Sequence, residues 1–301
     1  MIISASRRTD IPAFYSEWFF NRIKEGFVLV RNPFNMSQVS RISLKKDVVD
    51  CFVFWTKNPE KMLPELDLIR DYPYCFQFTL NPYGSELERN VPDKTKVIDT
   101  FIRLSDKIGP KRVIWRYDPV IINKTYGVDK HEEGFDKLAG KLHSHTSKCI
   151  ISFVDYYKKT DKAFKANDIA ELQEEKTREM AKKISAIAGT YGMKIETCAE
   201  QIDLSEYGIG HARCIDPDLI EEITGTSIEH KKDANQTKSC GCIPSVDIGT
   251  YNTCRHGCMY CYATYSKKSV ERNHADYDVN SPLLCSKLKT EDKILERKPV
   301  R

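Results

Sequence analysis

Three cysteines crowd one short run near the end of the chain, Asn252-Thr253-Cys254-Arg255-His256-Gly257-Cys258-Met259-Tyr260-Cys261-Tyr262-Ala263. Their spacings are C-x3-C and C-x2-C. Three thiolates in one loop can hold three irons of a [4Fe-4S] cube and leave the fourth iron open to a small molecule. Structural zinc is the competing chemistry. Zinc asks for four ligands, usually in two close pairs. The loop would then need His256, Cys240 or Cys242 to complete the set. His256 is too near in sequence to close a relaxed tetrahedron easily, which leaves Cys240 or Cys242. Gly257 relieves the turn between the first two cysteines.

A second set of thiols is more scattered. Cys198 stands in Glu196-Thr197-Cys198-Ala199-Glu200, Cys214 in His211-Ala212-Arg213-Cys214, and Cys240 and Cys242 flank Gly241. Four thiolates meeting at one rim would hold a second iron-sulfur cluster or a zinc ion. The alternative is a set of buried thiols, two of them completing the first site. Of the remaining cysteines, Cys51, Cys75 and Cys149 each open an apolar run and read as inert core thiols. Cys285 receives no role. Grouped cysteines in a reducing compartment are metal ligands rather than disulfides.

These groups need elements to carry them. Short apolar, β-rich runs at 2–5, 27–30, 51–55, 75–80, 113–115, 149–154 and 193–197 read as parallel strands buried on both faces. Helical patterns at 13–24, 59–70, 93–107, 130–143 and 168–191 fall between them, the last with Asp168 as cap and Gly192 as stop. Strand and helix alternate, which is the pattern of an α/β fold. Polar residues collect just after the strands: Ser6 to Asp10, Arg31, Lys57, Asn81, Arg116 to Asp118, Asp155 and Tyr156, and Glu196 to Glu200. Parallel strands send these ends to one side, the active face of a (β/α) TIM-like barrel. No glycine-rich nucleotide loop follows any strand. A last strand at 245–251 leads into the cysteine loop. As the closing strand it would lie beside the first and open the loop on the face of Arg7, Arg8 and Asp10. Residues 1–275 then form one barrel-like domain, with the cysteine-rich segment at 240–261 inside it, and 276–301 a tail or final helix.

At the strand ends, Arg7, Arg8, Arg31 and Arg116 suit a carboxylate or phosphate. Asp118, Glu196 and Glu200 are candidate proton acceptors, or partners of those arginines in a rim network. Trp55 and Tyr117 fill the interior or line a pocket for a planar ligand. The composition is ordinary, with 41% hydrophobic and 30% charged residues and a net charge of +4. It gives no basic stripe for nucleic acid, and no apolar stretch of about 18 residues for a membrane span. A cytoplasmic protein is expected.

The cysteine loop, with an aromatic directly before its third cysteine, resembles the signature of radical S-adenosylmethionine (SAM) enzymes. That resemblance implies a [4Fe-4S] cluster on Cys254, Cys258 and Cys261, SAM on the open iron, Tyr260 beside its adenine, and reductive cleavage to a 5′-deoxyadenosyl radical. It implies an electron donor such as flavodoxin or ferredoxin, and a small-molecule or other substrate in the barrel. In most of that superfamily the loop follows the first strand; here only 40 residues follow Cys261, so the order is circularly permuted. The usual Gly-Gly-Glu motif is missing. Its positional substitute is Ser6-Arg7-Arg8-Thr9-Asp10, with Asp10 for the amino group of SAM and an arginine for the carboxylate. The whole arrangement, from ISASRRTDIPAFY to CGCIPSVDIGTYNTCRHGCMYCYA, is similar to an uncharacterised bacterial family of unknown function. A non-radical iron-sulfur or zinc protein, acting in electron transfer, sensing or binding, is the alternative.

Overall fold

The computed structural model describes residues 1–155, 160–169, 172–229 and 231–298; Tyr156 lies outside them. In chain order the elements are β1 (Ile2–Ala5), α1 (Ile11–Phe14), α2 (Ser16–Glu25), β2 (Phe27–Asn32), β3 (Asn35–Ser43), β4 (Cys51–Thr56), β5 (Tyr74–Thr79), α3 (Lys94–Ile108), β6 (Val113–Val120) and α4 (Val128–Leu142). Then follow β7 (Lys148–Phe153), α5 (Asp161–Ala166), α6 (Glu174–Thr190), β8 (Lys194–Thr197), β9 (Gly210–His211), α7 (Pro217–Thr224), β10 (Val246–Asp247), α8 (Lys267–His274) and β11 (Lys293–Glu296).

This is a mixed α/β fold built on a large parallel sheet of eight strands in the order β10-β1-β4-β5-β6-β7-β8-β9. The late strand β10 pairs with β1, Ile3 beside Val246 and Ser4 beside Asp247. Among the described residues, β10 and β9 have no strand partner on their outer sides.

Side-chain alternation gives the sheet two unlike faces. Ile3, Phe52, Phe54, Phe76, Phe78, Trp115 and Tyr117 point into the larger core, which also holds Trp18, Phe101, Leu104, Phe135, Met180 and Ile184 from α2, α3, α4 and α6. On the opposite face, Ile2, Cys51, Val53 and Cys75 meet Cys214, Ile215, Ile220, Cys240, Cys242 and Ile243. Ile114 and Ile150 meet Ala212 there. So the helices following the strands cover one face, and the chain from 212 to 243 covers the other.

Three sequence expectations change. The run 27–30 is a strand, but it belongs to a separate three-stranded sheet, β11-β3-β2, where β2 and β3 are antiparallel. Asn32, Pro33 and Phe34 turn the chain straight back, so no helical crossover exists to make it parallel. β3 escaped notice because only Val39 and Ile42 of its side chains are fully buried. The helix expected at 168–191 begins at Glu174. Asp168 has φ 51° and its N–H bonds the Lys165 carbonyl at 3.4 Å, so it ends α5 instead of capping α6. The 59–70 pattern tightens to a 3-10 helix over Leu63–Ile69. Among the described residues, no helix is long and apolar enough to cross a membrane.

Candidate functional site

The cysteine loop is laced to the ends of β1, β4 and β5. His256 donates from Nε2 to Asp10 Oδ2 at 2.8 Å, and the same oxygen accepts the Lys57 N–H at 2.7 Å. The other oxygen of Asp10 caps α1 through the Ala13 N–H at 2.9 Å. Asp10 thus holds the loop and α1 together through both of its carboxylate oxygens. Tyr15 reaches the Thr253 carbonyl at 2.7 Å. The stretch after β5 runs alongside the loop: Met259 N–H bonds the Leu87 carbonyl at 2.9 Å, and Asn90 N–H the His256 carbonyl at 2.8 Å. Gly257 has φ 66°, the left-handed conformation that its lack of a side chain permits.

Beneath the loop lies Glu88, 2% exposed. Its carboxylate pairs with Lys57 at 2.7 Å and with Lys94, and accepts the Tyr260 hydroxyl. Burial alone would raise its pKa, but the two ammonium groups outweigh burial and hold it at about 2. Burial pushes the Cys258 thiol up to about 12, against the pull of Lys57. Burial and the neighbouring Cys261 raise Cys254 as well. All three thiols are half-buried and free.

A second hub stands where β10 meets β1. Asp247 accepts from Ser4 at 2.8 Å, Ser6 at 2.6 Å, and the backbone N–H groups of Arg7 at 2.8 Å and Gly249 at 2.9 Å. Arg8 approaches it at 3.8 Å and lies over the Tyr251 ring. Arg7 projects over Trp55, 5.1 Å from the ring centre, and its Nη2 is buried without a hydrogen-bond partner. Tyr262 of the loop donates to the Arg7 carbonyl at 2.6 Å.

The scattered cysteines meet. Cys198 and Cys214 have their sulfurs 3.1 Å apart. Cys242 lies beside both Cys214 and Cys240 in the same buried cluster. Arg116 Nη1 donates to the Cys214 sulfur at 3.0 Å. Among the described residues, no group of three or more His, Cys, Asp or Glu side chains stands, as it is, in an arrangement that could hold a metal ion.

The candidate acids separate by environment. Asp118 is tied to Arg116 and Ser152. Glu196 sits between Lys148 and Lys194, each at 2.7 Å, and its pKa is lowered because these cations outweigh its burial. Glu200 differs: burial, with Asp155 and Asp118 adding, raises it to about 7, while it accepts the Phe153 N–H at 2.9 Å. It lines a cavity of about 750 Å³ with His211, Arg213, Lys238 and Gly241. The folded chain keeps the Glu200 proton up to about pH 7, whereas an unfolded glutamate releases it near its ordinary value, about 4.3. The stability it contributes is full below the lower value and is lost as pH rises through the higher one. Glu200→Gln is expected to flatten this decline between pH 5 and 8 by about 3 kcal/mol. Urea unfolding across that range tests it; an unchanged slope would show that Glu200 is not the titrating group.

Other expected site residues lie elsewhere. Arg31 is in the three-stranded sheet, forked onto Asp292 of the chain's final segment, and so is not at the ends of the parallel strands. Tyr117 is fully buried on the helix side, bonded to His131 at 2.7 Å and packed on Phe135. It follows from alternation along β6: Trp115 and Tyr117 face the helices, and Arg116 faces the cysteines. Of the candidates Trp55 and Tyr117, only Trp55, beneath Arg7, stays at the candidate site. Glu88, Asp247 and His256 were not singled out for these roles in the sequence. A cue existed for Asp247, the acid in the strand expected at 245–251.

No curated protein matches the chain. Among solved structures it is similar to the "putative alpha-L-fucosidase" of Bacteroides thetaiotaomicron VPI-5482, with 13% identity, 60% of this chain and 84% of that chain covered, and a TM-score of 0.26. Nothing about fold or activity follows from so slight a likeness. The model of the family described as "Domain of unknown function (DUF1848)" matches residues 2–263, nearly the whole chain, and the protein belongs to that family.

Proposed function

We propose that the protein is an iron-sulfur enzyme of radical SAM type, with a [4Fe-4S] cluster on Cys254, Cys258 and Cys261. The observation that supports it is the loop itself: three free thiols interleaved with two tight anchors, His256 on Asp10 and Tyr260 on Glu88. The donor set fits, because three thiolates suit a cluster with one open iron, and a loop pinned on both sides keeps them together. When bound, the cluster and SAM supply reductive cleavage of the sulfonium and a carbon-centred radical. In this reading the sheet is the wall of a (β/α) barrel whose last strand, β10, carries the loop, a permuted order.

The chain's own residues divide the remaining work. Tyr260 offers a ring beside the third cysteine, its hydroxyl held by Glu88. Arg8 is the arginine for the carboxylate of SAM, since its guanidinium has only long contacts, 3.5 Å to the Gly249 carbonyl and 3.8 Å to Asp247. Glu200, with a pKa of about 7, is the acid best placed to take or return a proton near neutrality. Trp55 lines the substrate side.

Anaerobic reconstitution with iron and sulfide, followed by SAM and dithionite, tests the proposal. The expected result is about four irons and four sulfides bound through the loop, 5′-deoxyadenosine in the products, and loss of both in Cys254→Ala, Cys258→Ala and Cys261→Ala. Cluster-loaded protein that makes no 5′-deoxyadenosine over a long incubation would leave a non-radical iron-sulfur protein. Zinc on the loop without sulfide would sink both readings.

A further inference from the structure

We infer that Cys198, Cys214, Cys240 and Cys242 form a separate tetrathiolate site for one zinc ion, independent of the loop at Cys254. Four thiols from three distant stretches of chain come together on the face of the sheet opposite the helices. Their contacts run in sequence: Cys198 to Cys214, Cys214 to Cys242, Cys242 to Cys240. The Cys198–Cys214 separation of 3.1 Å is far outside the disulfide bond length, and every cysteine of the chain is free. Thiols already in contact leave room for a single ion. Zinc–sulfur bonds of about 2.3 Å put tetrahedral sulfurs about 3.8 Å apart, so a small outward shift suffices. A four-iron cube would have to drive the same sulfurs much further apart.

The surroundings supply what such a site needs. Four thiolates around Zn²⁺ carry a double negative charge, and two arginines stand against them, Arg116 buried and Arg7 half-buried. Arg116 Nη1 already donates to the Cys214 sulfur at 3.0 Å, and the Ile215 N–H to the Cys242 sulfur at 3.4 Å. Arg7 is the second cation, and its Nη2 is buried with no acceptor. An orphaned guanidinium nitrogen beside neutral thiols is costly; beside a zinc thiolate centre it gains an anionic neighbour. Such donors around the sulfurs are what holds metal ligands in place. Gly241, between two of the ligands, lines the 750 Å³ cavity and offers a way in for the ion. The site would tie the end of β8 to the segments flanking α7, fixing the cover of that face.

Metal analysis of the full chain, purified without added metal, tests this. The expected content is about one zinc per chain, unchanged in the triple variant Cys254→Ala/Cys258→Ala/Cys261→Ala and reduced about tenfold or more in Cys198→Ser/Cys214→Ser. A triple variant that loses iron but keeps zinc separates this site from the cluster proposed on the loop. If the double variant does not fold, the zinc-edge absorption spectrum of the wild-type protein decides. Four sulfurs at about 2.3 Å are expected. Zinc lost with the triple variant, zinc retained in a folded double variant, a zinc shell with nitrogen or oxygen, or iron and sulfide held by these four cysteines in the triple variant would each overturn the inference.

Discussion

Glu88→Ala is expected to cost the fold about 3–5 kcal/mol at pH 7, because it strips the shared partner from two ammonium groups. Lys57 and Lys94 both converge on this one carboxylate, and Lys57 is largely enclosed, with 14% of its side chain exposed. Glu88→Gln separates two roles. The amide can still accept the Tyr260 hydroxyl, but it brings no charge for the lysines. The glutamine variant should therefore lose most of the stability while keeping Tyr260 in place, and alanine should lose both. The pH dependence has a definite sign. Glu88 in the fold sits at about 2, below the ordinary value of about 4.3. Its contribution is full above that ordinary value and is lost as pH falls toward 2. The deficit of Glu88→Gln should shrink on acidification from pH 5 to pH 2.5. Urea unfolding at several pH values measures it. A variant within about 0.5 kcal/mol of wild type at pH 7, the range of ordinary surface changes, would show that the lysines are solvated without Glu88.

The same residue shows where sequence reading stops. Lys57 and Asn81 were legible, because each follows an apolar run, and strand ends of a parallel sheet converge. Glu88 was not. It stands in Ser85-Glu86-Leu87-Glu88-Arg89, a stretch that reads as a solvated loop. Only the pairing of that stretch with the cysteine loop, Glu88 opposite Cys258, buries it. Six of the parallel strands, β1 and β4 to β8, were anticipated from apolar runs, since a strand covered on both faces leaves a continuous apolar trace. β9, two exposed residues at the sheet edge, leaves none. The neighbourhood of β10 and β1 could be anticipated because the last strand leads into the loop. Arg31 misled for the converse reason. Its run FVLVRN looks like a buried parallel strand, yet its partner β3 is mostly polar, and neither the hairpin nor Asp292 is marked in the local pattern. The meeting of the four scattered cysteines was suggested by composition alone, and their contacts depend on how the chain between β9 and β10 folds back over the sheet.

Gly249→Ala is expected to be the most damaging of the glycine-to-alanine changes. A Cβ there would stand 2.1 Å from the Ser6 hydroxyl oxygen, 2.6 Å from Ser6 Cβ and 3.1 Å from Thr9 Cγ2. A flexible neighbour would swing away, but Ser6 cannot do so freely. Its hydroxyl donates to Asp247 at 2.6 Å and accepts the Arg8 N–H at 2.9 Å. Ser6 is also 2% exposed, with no solvent-filled space to enter. Relief must come from moving the backbone on one side of the β1–β10 contact, which also carries Asp247 and leads to Cys254. A cost of about 3 kcal/mol is expected, the upper end for overpacking a core. Ser6→Gly removes both of the closest atoms, at about 1 kcal/mol for the lost hydrogen bond to Asp247. The double variant should therefore be more stable than Gly249→Ala alone by about 1–2 kcal/mol, a coupling within the range of residues in direct contact. Urea unfolding of the four proteins closes the cycle. Effects that simply add within about 0.5 kcal/mol would mean that the methyl is absorbed elsewhere. Because the strain lies on the path from β10 to the cysteine loop, Gly249→Ala should also reduce iron retention in the reconstituted protein, and Ser6→Gly should restore part of it.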